Sequence, residues 1–227
     1  LAVIVGLVIE PVPAALVGLI GVSVVALVGL AGKTPAANVK WALSGFSNSI
    51  IWLIFAAFMF AMGYQKTGLG KRISLLMIRY MGKSSLGLGY AVAFADLVLA
   101  PFMPSNTARG GGTIYPIAIN IPLIFNSTPE HEPRKMGAYI TLIAMTATCV
   151  TSSMFLTALA PNLLAVDLIA KGANISIEWG AWAKVMIPLM LPLFLVTPLL
   201  VYWIYPPTQK KSPEAPGRTS SYSLRFL

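Results

Sequence analysis

A polar, glycine-rich stretch at residues 104–112 interrupts two long apolar runs of this sequence. It contains Ser105, Asn106 and Thr107, whose amide and hydroxyl groups are hydrogen-bond donors. Because hydrocarbon satisfies no backbone N–H or C=O group, a break at membrane depth must face protein or an aqueous cavity. A helix that begins at Thr107 would add N-terminal N–H groups, which favour anions. The stretch therefore predicts a site for a small ion, with ordinary helix capping as the alternative.

The composition places these donors in a membrane protein. Of the 227 residues, 57% are apolar and 10% are charged, whereas about 25% are charged in a typical soluble domain. The net charge of +9 would suggest a nucleic-acid partner for a soluble protein, but here the basic residues lie between apolar runs, where they set topology. We therefore expect membrane lipid and no nucleic acid as a partner. The sequence has one histidine and no paired carboxylates or phosphate-binding loop, so we expect no enzyme and no metal beyond sodium.

The apolar runs predict an all-α fold with five or six membrane elements, since one span needs about 20 mostly apolar residues. The expected elements are spans at 14–31 and 49–64, a basic helix on the membrane surface at 65–83, a helix at 137–170 broken at Ala160-Pro161-Asn162, and a last span at 181–205. Residues 208–227 are polar and predict a disordered tail.

Charge placement predicts how residues 85–125 fold. Basic residues cluster at 66–83, 134–135 and 210–211. Basic loops tend to stay in the cytoplasm, and all three clusters share that side only if 85–125 enters and leaves the membrane there. The prolines and the glycine triplet favour a re-entrant hairpin whose interrupted arms meet at the polar tip. Two complete spans are the alternative.

Two charges lie within this hairpin, Asp96 in the first arm and Arg109 just after the tip. A charge inside a membrane is rare and usually functional. If both arms rise about 1.5 Å per residue, Asp96 lies about 13 Å before Ser105 and Arg109 about 6 Å after it. We therefore expect Asp96 to bond to a neighbouring helix rather than to Arg109. For Arg109 we expect a functional role, with pairing to a carbonyl or a lipid phosphate as the alternative.

Several motifs together resemble one transporter family. They are Pro-Ser-Asn-Thr at 104–107, Leu-Ala-Pro at 99–101, Thr-Ala-Arg-Gly-Gly-Gly at 107–112, Gly-Tyr-Gln-Lys-Thr-Gly-Leu-Gly at 63–70 and Ala-Pro-Asn-Leu-Leu at 160–164. From about residue 1 to residue 207 the chain is similar to the divalent anion:sodium symporter family. The similarity is to the branch of citrate/succinate and tartrate/succinate antiporters and 2-oxoglutarate/malate translocators.

The resemblance implies an all-α integral membrane protein in which residues 1–207 form the first of two inverted repeats, with a re-entrant hairpin and a broken transmembrane helix. It implies two hairpin tips that meet around a di- or tricarboxylate, and a homodimer in full-length form. The expected location is the bacterial inner membrane, with the plastid inner envelope as the alternative. Only one such tip occurs here, and residues 217–227 do not resemble the family. We therefore expect a truncated or frameshifted product, with an inactive fragment as an alternative to a working carrier.

The resemblance also implies site residues. The substrate contacts carry over to Ser105, Asn106, Thr107 and Arg109. A sodium site would carry over to Ser105, Asn106, Ala158 and Asn162, although many relatives have glycine in place of Ala158. Relatives that are exchangers tend to carry an arginine where Arg109 stands, and its fixed charge could replace part of the role of sodium. We therefore expect exchange of one dicarboxylate for another, with sodium-coupled dicarboxylate or sulfate symport as the alternative.

Overall fold

The computed structural model describes residues 2–211 of the chain. The described residues form two compact units, which divide between residues 53 and 54. The α-helices are α1 (Ala2–Ile9), α2 (Ala14–Val28), α3 (Pro35–Leu43), α4 (Ser49–Thr67), α5 (Leu69–Met81), α6 (Ser85–Leu99), α7 (Tyr115–Ala118), α8 (Asn120–Ile124), α9 (Gly137–Met154), α10 (Ala160–Ala173) and α11 (Trp179–Ile204). Short 3₁₀ turns cover Ser44–Ser47, Ala100–Phe102 and Leu156–Ala158, and a π-helix covers Thr107–Ile114. The predicted all-α class is confirmed for the described residues.

In the first unit α1 packs on α2 and α2 packs on α3. Gly21 of α2 permits close packing, because a Cβ there would lie 2.3 Å from a methyl of Val3. The helix ends at Gly29, whose φ of +79° favours glycine. With 15 residues, α2 is shorter than the predicted span at 14–31, and a straight crossing needs about 20 residues.

The core of the second unit lies where α6, α9 and α11 pack against one another, with α5 against α6. Gly89 of α6 lets α9 approach, since a Cβ there would lie 2.2 Å from the hydroxyl oxygen of Tyr139. The basic helix α5 is one-sided: Gly70, Ser74 and Ile78 are buried at a spacing of four residues. This confirms the predicted amphipathic helix, while its place on a membrane surface stays a prediction.

Three helical segments within residues 2–211 are each long and apolar enough to cross a membrane. They are Ser85–Phe102, Gly137–Met154 and Trp179–Ile204. The last segment contains Pro188, Pro192 and Pro198, which remove backbone donors from the helix. Between Pro192 and Pro198, the carbonyl of Leu195 accepts from the hydroxyl of Tyr90 of α6 at 2.6 Å. A side-chain hydrogen bond therefore joins α11 to α6.

The second arm of the predicted hairpin returns to the end of the bundle where the first arm began. The hydroxyl of Ser127, which follows α8, accepts from the N–H groups of Met136 (3.3 Å) and Gly137 (3.1 Å) at the start of α9. Next to them, the carbonyls of Arg134 and Lys135 accept from residues 208 and 209, which follow α11, at 3.1 and 3.3 Å. The start of α9 and the end of α11 are thus joined.

The start of α6 lies at the same place. The N–H of Ser85 donates to the carbonyl of Lys210 at 3.2 Å, and Ser84 forms an antiparallel bridge with Lys211. Both ends of the hairpin therefore meet at one end of the bundle, together with Lys83, residues 134–135 and residues 210–211. The rest of the 66–83 cluster does not meet them: α5 runs away from this end, and Gly70 near its start lies against Leu99 and Thr113 beside the tip. The membrane face on which these basic residues lie stays a prediction. Residues 208–211 carry these bonds, and the remainder of the predicted tail, 212–227, lies outside the described residues.

Candidate functional site

The helical structure is broken at the tip of the hairpin, and two prolines explain part of this break. After α6 the chain makes the 3₁₀ turn Ala100–Phe102, continues without helical structure over residues 103–105, and enters the π-helix Thr107–Ile114. Pro101 and Pro104 lack the N–H that a continuing helix would need. The glycine triplet at 110–112 tolerates the widened π turns, a form that is rare and frequently found at functional sites. The predicted helix beginning at Thr107 is confirmed.

Ser105 holds the start of this π-helix. Its hydroxyl oxygen accepts from the N–H of Ala108 at 3.2 Å, and its carbonyl accepts from the N–H of Arg109 at 2.9 Å. The capping interpretation is therefore confirmed for Ser105, although its hydroxyl proton remains available for donation. Thr107, the next hydroxyl of the motif, is exposed.

The break in the following helix lies against the tip. α9 ends at Met154, a 3₁₀ turn covers Leu156–Ala158, and Pro161 occupies the first turn of α10, where proline is tolerated. The N–H of Ala160 donates to the carbonyl of Pro104 at 3.0 Å, and the hydroxyl of Thr157 donates to the carbonyl of Pro101 at 2.8 Å. The break predicted at residues 160–162 is thus present, begins a few residues earlier, and is bonded directly to the tip.

Asn162 stabilises this break from within α10. Its amide nitrogen donates to the carbonyls of Ser152 at 2.8 Å and Phe155 at 3.3 Å. These carbonyls lie at the C-terminal end of α9, where intrahelical partners run out. Asn162 therefore satisfies backbone groups at the break.

Arg109 lies at the centre of the tip and is completely buried. Its Nη1 donates to the carbonyls of Met103 and Ala158, both at 3.0 Å. Its Nη2 lies within bonding distance of Asn106 Oδ1 (3.1 Å) and of two hydroxyls of α9, those of residues 151 and 152, both at 3.3 Å. One guanidinium therefore ties together the tip, the break and α9.

Asp96 supplies the counter-charge, which corrects the expectation that it would not pair with Arg109. Arg109 Nε donates to Asp96 Oδ1 at 3.1 Å, and both side chains are fully buried. Asp96 also accepts from the hydroxyl of Thr148 at 3.0 Å and from that of Thr151. The 13 Å estimate failed because α6 ends at Leu99, so the chain between the two residues is not a straight helix, and because an arginine side chain bridges several ångströms.

Among the predicted substrate ligands, Asn106 has a side-chain orientation that is fixed by its hydrogen bonds. Its Oδ1 accepts from Arg109 Nη2 at 3.1 Å and from the hydroxyl of Ser152 at 2.6 Å. A flipped amide would place its NH₂ against the guanidinium donors, so the arginine enforces this orientation. Among residues 2–211, no hydrogen-bond partner is found for Nδ2, and the side chain is partly exposed. Its two N–H donors therefore remain available to an acceptor.

The residues predicted to hold sodium have other partners in this structure. The carbonyl of Ala158 and Oδ1 of Asn106 both accept from Arg109, and Asn162 presents its amide nitrogen to carbonyls of the break. The guanidinium thus lies between two oxygens assigned to a cation. Sodium coordination by Ser105, Asn106, Ala158 and Asn162 stays a prediction, as does direct substrate contact by Ser105, Thr107 and Arg109.

Sequence reasoning missed the acceptors that surround Arg109. From the sequence, no role was predicted for Thr151 or Ser152, whose hydroxyls lie within bonding distance of Nη2, or for the carbonyl of Met103. One signal was present in the sequence. A buried arginine needs acceptors for its donors, and hydroxyls spaced three residues apart on the next helix lie on one side of it and could supply them. The carbonyl could not be found in this way, because every residue carries one.

Comparison with known proteins finds one family and several relatives that match this chain. The family described as the sodium:sulfate symporter transmembrane region matches residues 1–222. Proteins named L-tartrate/succinate antiporter from Escherichia coli (strain K12), Escherichia coli (strain UTI89 / UPEC) and Shigella flexneri are each 48% identical to this chain. Each alignment covers 94% of this chain and 47% of the relative. The chain therefore spans about half the length of the curated relatives it matches.

Proposed function

The chain belongs to the sodium:sulfate symporter family, and we propose that it forms one half of a membrane carrier that exchanges one dicarboxylate for another. Two relatives at 48% identity are named for tartrate and succinate, and we propose dicarboxylates of this class, together with malate, 2-oxoglutarate and the tricarboxylate citrate, as candidate substrates. The carrier lies in a bacterial inner membrane as a homodimer, with the plastid inner envelope as the alternative site. These statements concern the whole protein, of which this chain is a part.

The observation that carries the proposal is the orientation of Asn106. A pocket for a dicarboxylate must replace water with hydrogen-bond donors, while it holds the anion weakly enough to release it. Arg109 and Ser152 bind the amide oxygen, so Nδ2 is left to donate toward the anion. The hydroxyl of Ser105 adds a neutral donor beside it, and the positive end of the π-helix favours an anion at this place.

The same geometry supports exchange without sodium. A carboxylate pocket gains from a nearby cation, which a sodium ion supplies in a symporter. Here the Arg109 guanidinium bonds to Ala158 O and Asn106 Oδ1, the two oxygens assigned to sodium, while its own charge is paired with Asp96. It therefore blocks these oxygens from a sodium ion rather than adding net charge to the pocket. A covalently attached cation cannot leave with the substrate. The binding site of such a carrier should therefore return to the other face of the membrane only when it is loaded with an exchange anion.

Counterflow in proteoliposomes tests the site. The test protein is a full-length version, in which this chain is continued by the second half of the Escherichia coli relative. Asn106→Ala removes the amide donors, and a bond to a charged group contributes about 1.5–3 kcal/mol. Apparent affinity for succinate should therefore fall roughly 10- to 150-fold. Asn120→Ala, which changes an exposed asparagine of α8, is the matched control and should leave affinity unchanged. Parental affinity in Asn106→Ala at normal protein level would refute the assignment.

A further inference from the structure

Five basic residues from three separate parts of the sequence converge at one end of the bundle. The backbone bonds described above bring Lys83, Arg134, Lys135, Lys210 and Lys211 together, and these residues are called the basic patch. Their side chains take no part in the backbone bonds that join the segments. The positions of the charges are thus fixed by the main chain, while the side chains of Lys83, Lys210 and Lys211 remain exposed.

Little negative charge balances this patch. Lys135 pairs with Glu132 at 2.9 Å, and Glu130 is the other acid of the same connection. Arg134 donates Nε to the hydroxyl of Tyr205 at 3.2 Å and lies 4.8 Å from the centre of that ring, which leaves its charge uncompensated. Lys83, Lys210 and Lys211 are exposed and form no ion pair among the described residues. The patch therefore carries an excess of positive charge.

The patch adjoins a surface suited to lipid. Trp203 and Ile204 end α11 with 81% and 70% of their surfaces exposed, and α11 is the most apolar of the candidate spans. Exposed tryptophan at the end of a span is typical of the boundary between hydrocarbon and headgroups. The cations consequently lie where lipid phosphates would be found.

We propose that the basic patch binds the phosphate headgroup of an anionic phospholipid, whose acyl chains lie along the end of α11 beside Trp203. This proposal does not depend on the transported substrate. A cation near an anionic membrane surface contributes about fivefold in affinity, and salt largely screens the attraction between charges more than about 10 Å apart. Three lysines together should therefore raise the preference for anionic over zwitterionic lipid at least about tenfold.

Native mass spectrometry of the 227-residue chain tests this inference. Mixed micelles would contain phosphatidylglycerol and phosphatidylcholine with identical acyl chains, and the ratio of retained lipids would be measured. The test variant combines Lys83→Gln, Lys210→Gln and Lys211→Gln, which leave every backbone bond in place. The matched control combines Lys33→Gln, Lys40→Gln and Lys184→Gln, exposed lysines elsewhere, so both variants have the same net charge.

The parent and the control should retain phosphatidylglycerol preferentially, and the test variant should lose at least about tenfold of that preference. Circular dichroism should show the same helix content in all three proteins. Equal loss in both variants would overturn the proposal, because general charge would then explain binding. Displacement of the lipid by millimolar inorganic phosphate at constant ionic strength would also overturn it, because the patch would then be a site for free phosphate.

Discussion

Asp96→Asn would remove the one negative charge that pairs with Arg109 among residues 2–211. The Asp96→Asn side chain keeps its size and an acceptor oxygen, so the change is electrostatic. Arg109 would remain fully buried and would keep only carbonyl, amide and hydroxyl partners. Removing one partner of a buried ion pair typically costs about 3–5 kcal/mol, because the other charge is left uncompensated.

An exposed ion pair of the same chain provides the control. Lys171 and Asp167 lie 2.6 Å apart on α10, and the lysine side chain is 62% exposed. Lys171→Ala should therefore cost less than about 1 kcal/mol. Thermal unfolding in detergent, followed by the fraction that remains monodisperse, should show Asp96→Asn melting roughly 6–20 °C below the parent, and Lys171→Ala within a few degrees of it.

A double variant separates charge from packing. Adding Arg109→Gln to Asp96→Asn removes the uncompensated cation, so the double variant should be more stable than the sum of the single effects predicts. If Asp96→Asn melts no lower than Lys171→Ala, the ion pair does not stabilise the tip. If the single effects are additive, the two residues do not act on each other. Either result would refute the reasoning.

Two further predictions concern the donors of the tip and the topology. Ser105→Ala and Thr107→Ala in the full-length version should each weaken succinate exchange less than Asn106→Ala does, because water can replace one hydroxyl. Apparent affinity in counterflow measures this, and a larger loss in either variant would contradict the ranking. Cysteines introduced at Lys83 and Arg134 in a Cys149→Ser background should react with an impermeant maleimide only from the cytoplasmic face, since both positions belong to the basic patch. Labelling of the two cysteines from opposite faces would contradict the hairpin.

The hairpin was predictable because charge and composition both constrain it. The basic clusters on either side of residues 85–125 required its ends to lie together, and the backbone bonds from Ser85 and from residues 208–209 place them so. The break before Pro161 was predictable for a local reason, since proline cannot continue a helix but suits its first turn.

The interior of the site was not predictable in the same way. Pairing of Asp96 with Arg109 depends on where α6 ends and on how the chain crosses the tip. An estimate from the rise per residue of a straight helix includes neither. The π-helix likewise depends on contacts around the glycines: a Cβ on Gly110 would lie 3.1 Å from the hydroxyl of Thr148. Such contacts join residues distant in sequence, so no local pattern encodes them.

The sodium dependence of exchange tests the central claim most directly, namely that the Arg109 guanidinium occupies the place of a coupling cation beside an anion-binding Asn106. Proteoliposomes containing the full-length version would be loaded with succinate, and uptake of radiolabelled tartrate would be measured while sodium is replaced by choline at constant ionic strength. We predict that uptake requires internal succinate and is the same at every sodium concentration. A steep, saturable requirement for sodium, with uptake into empty vesicles, would contradict the account and identify a symporter.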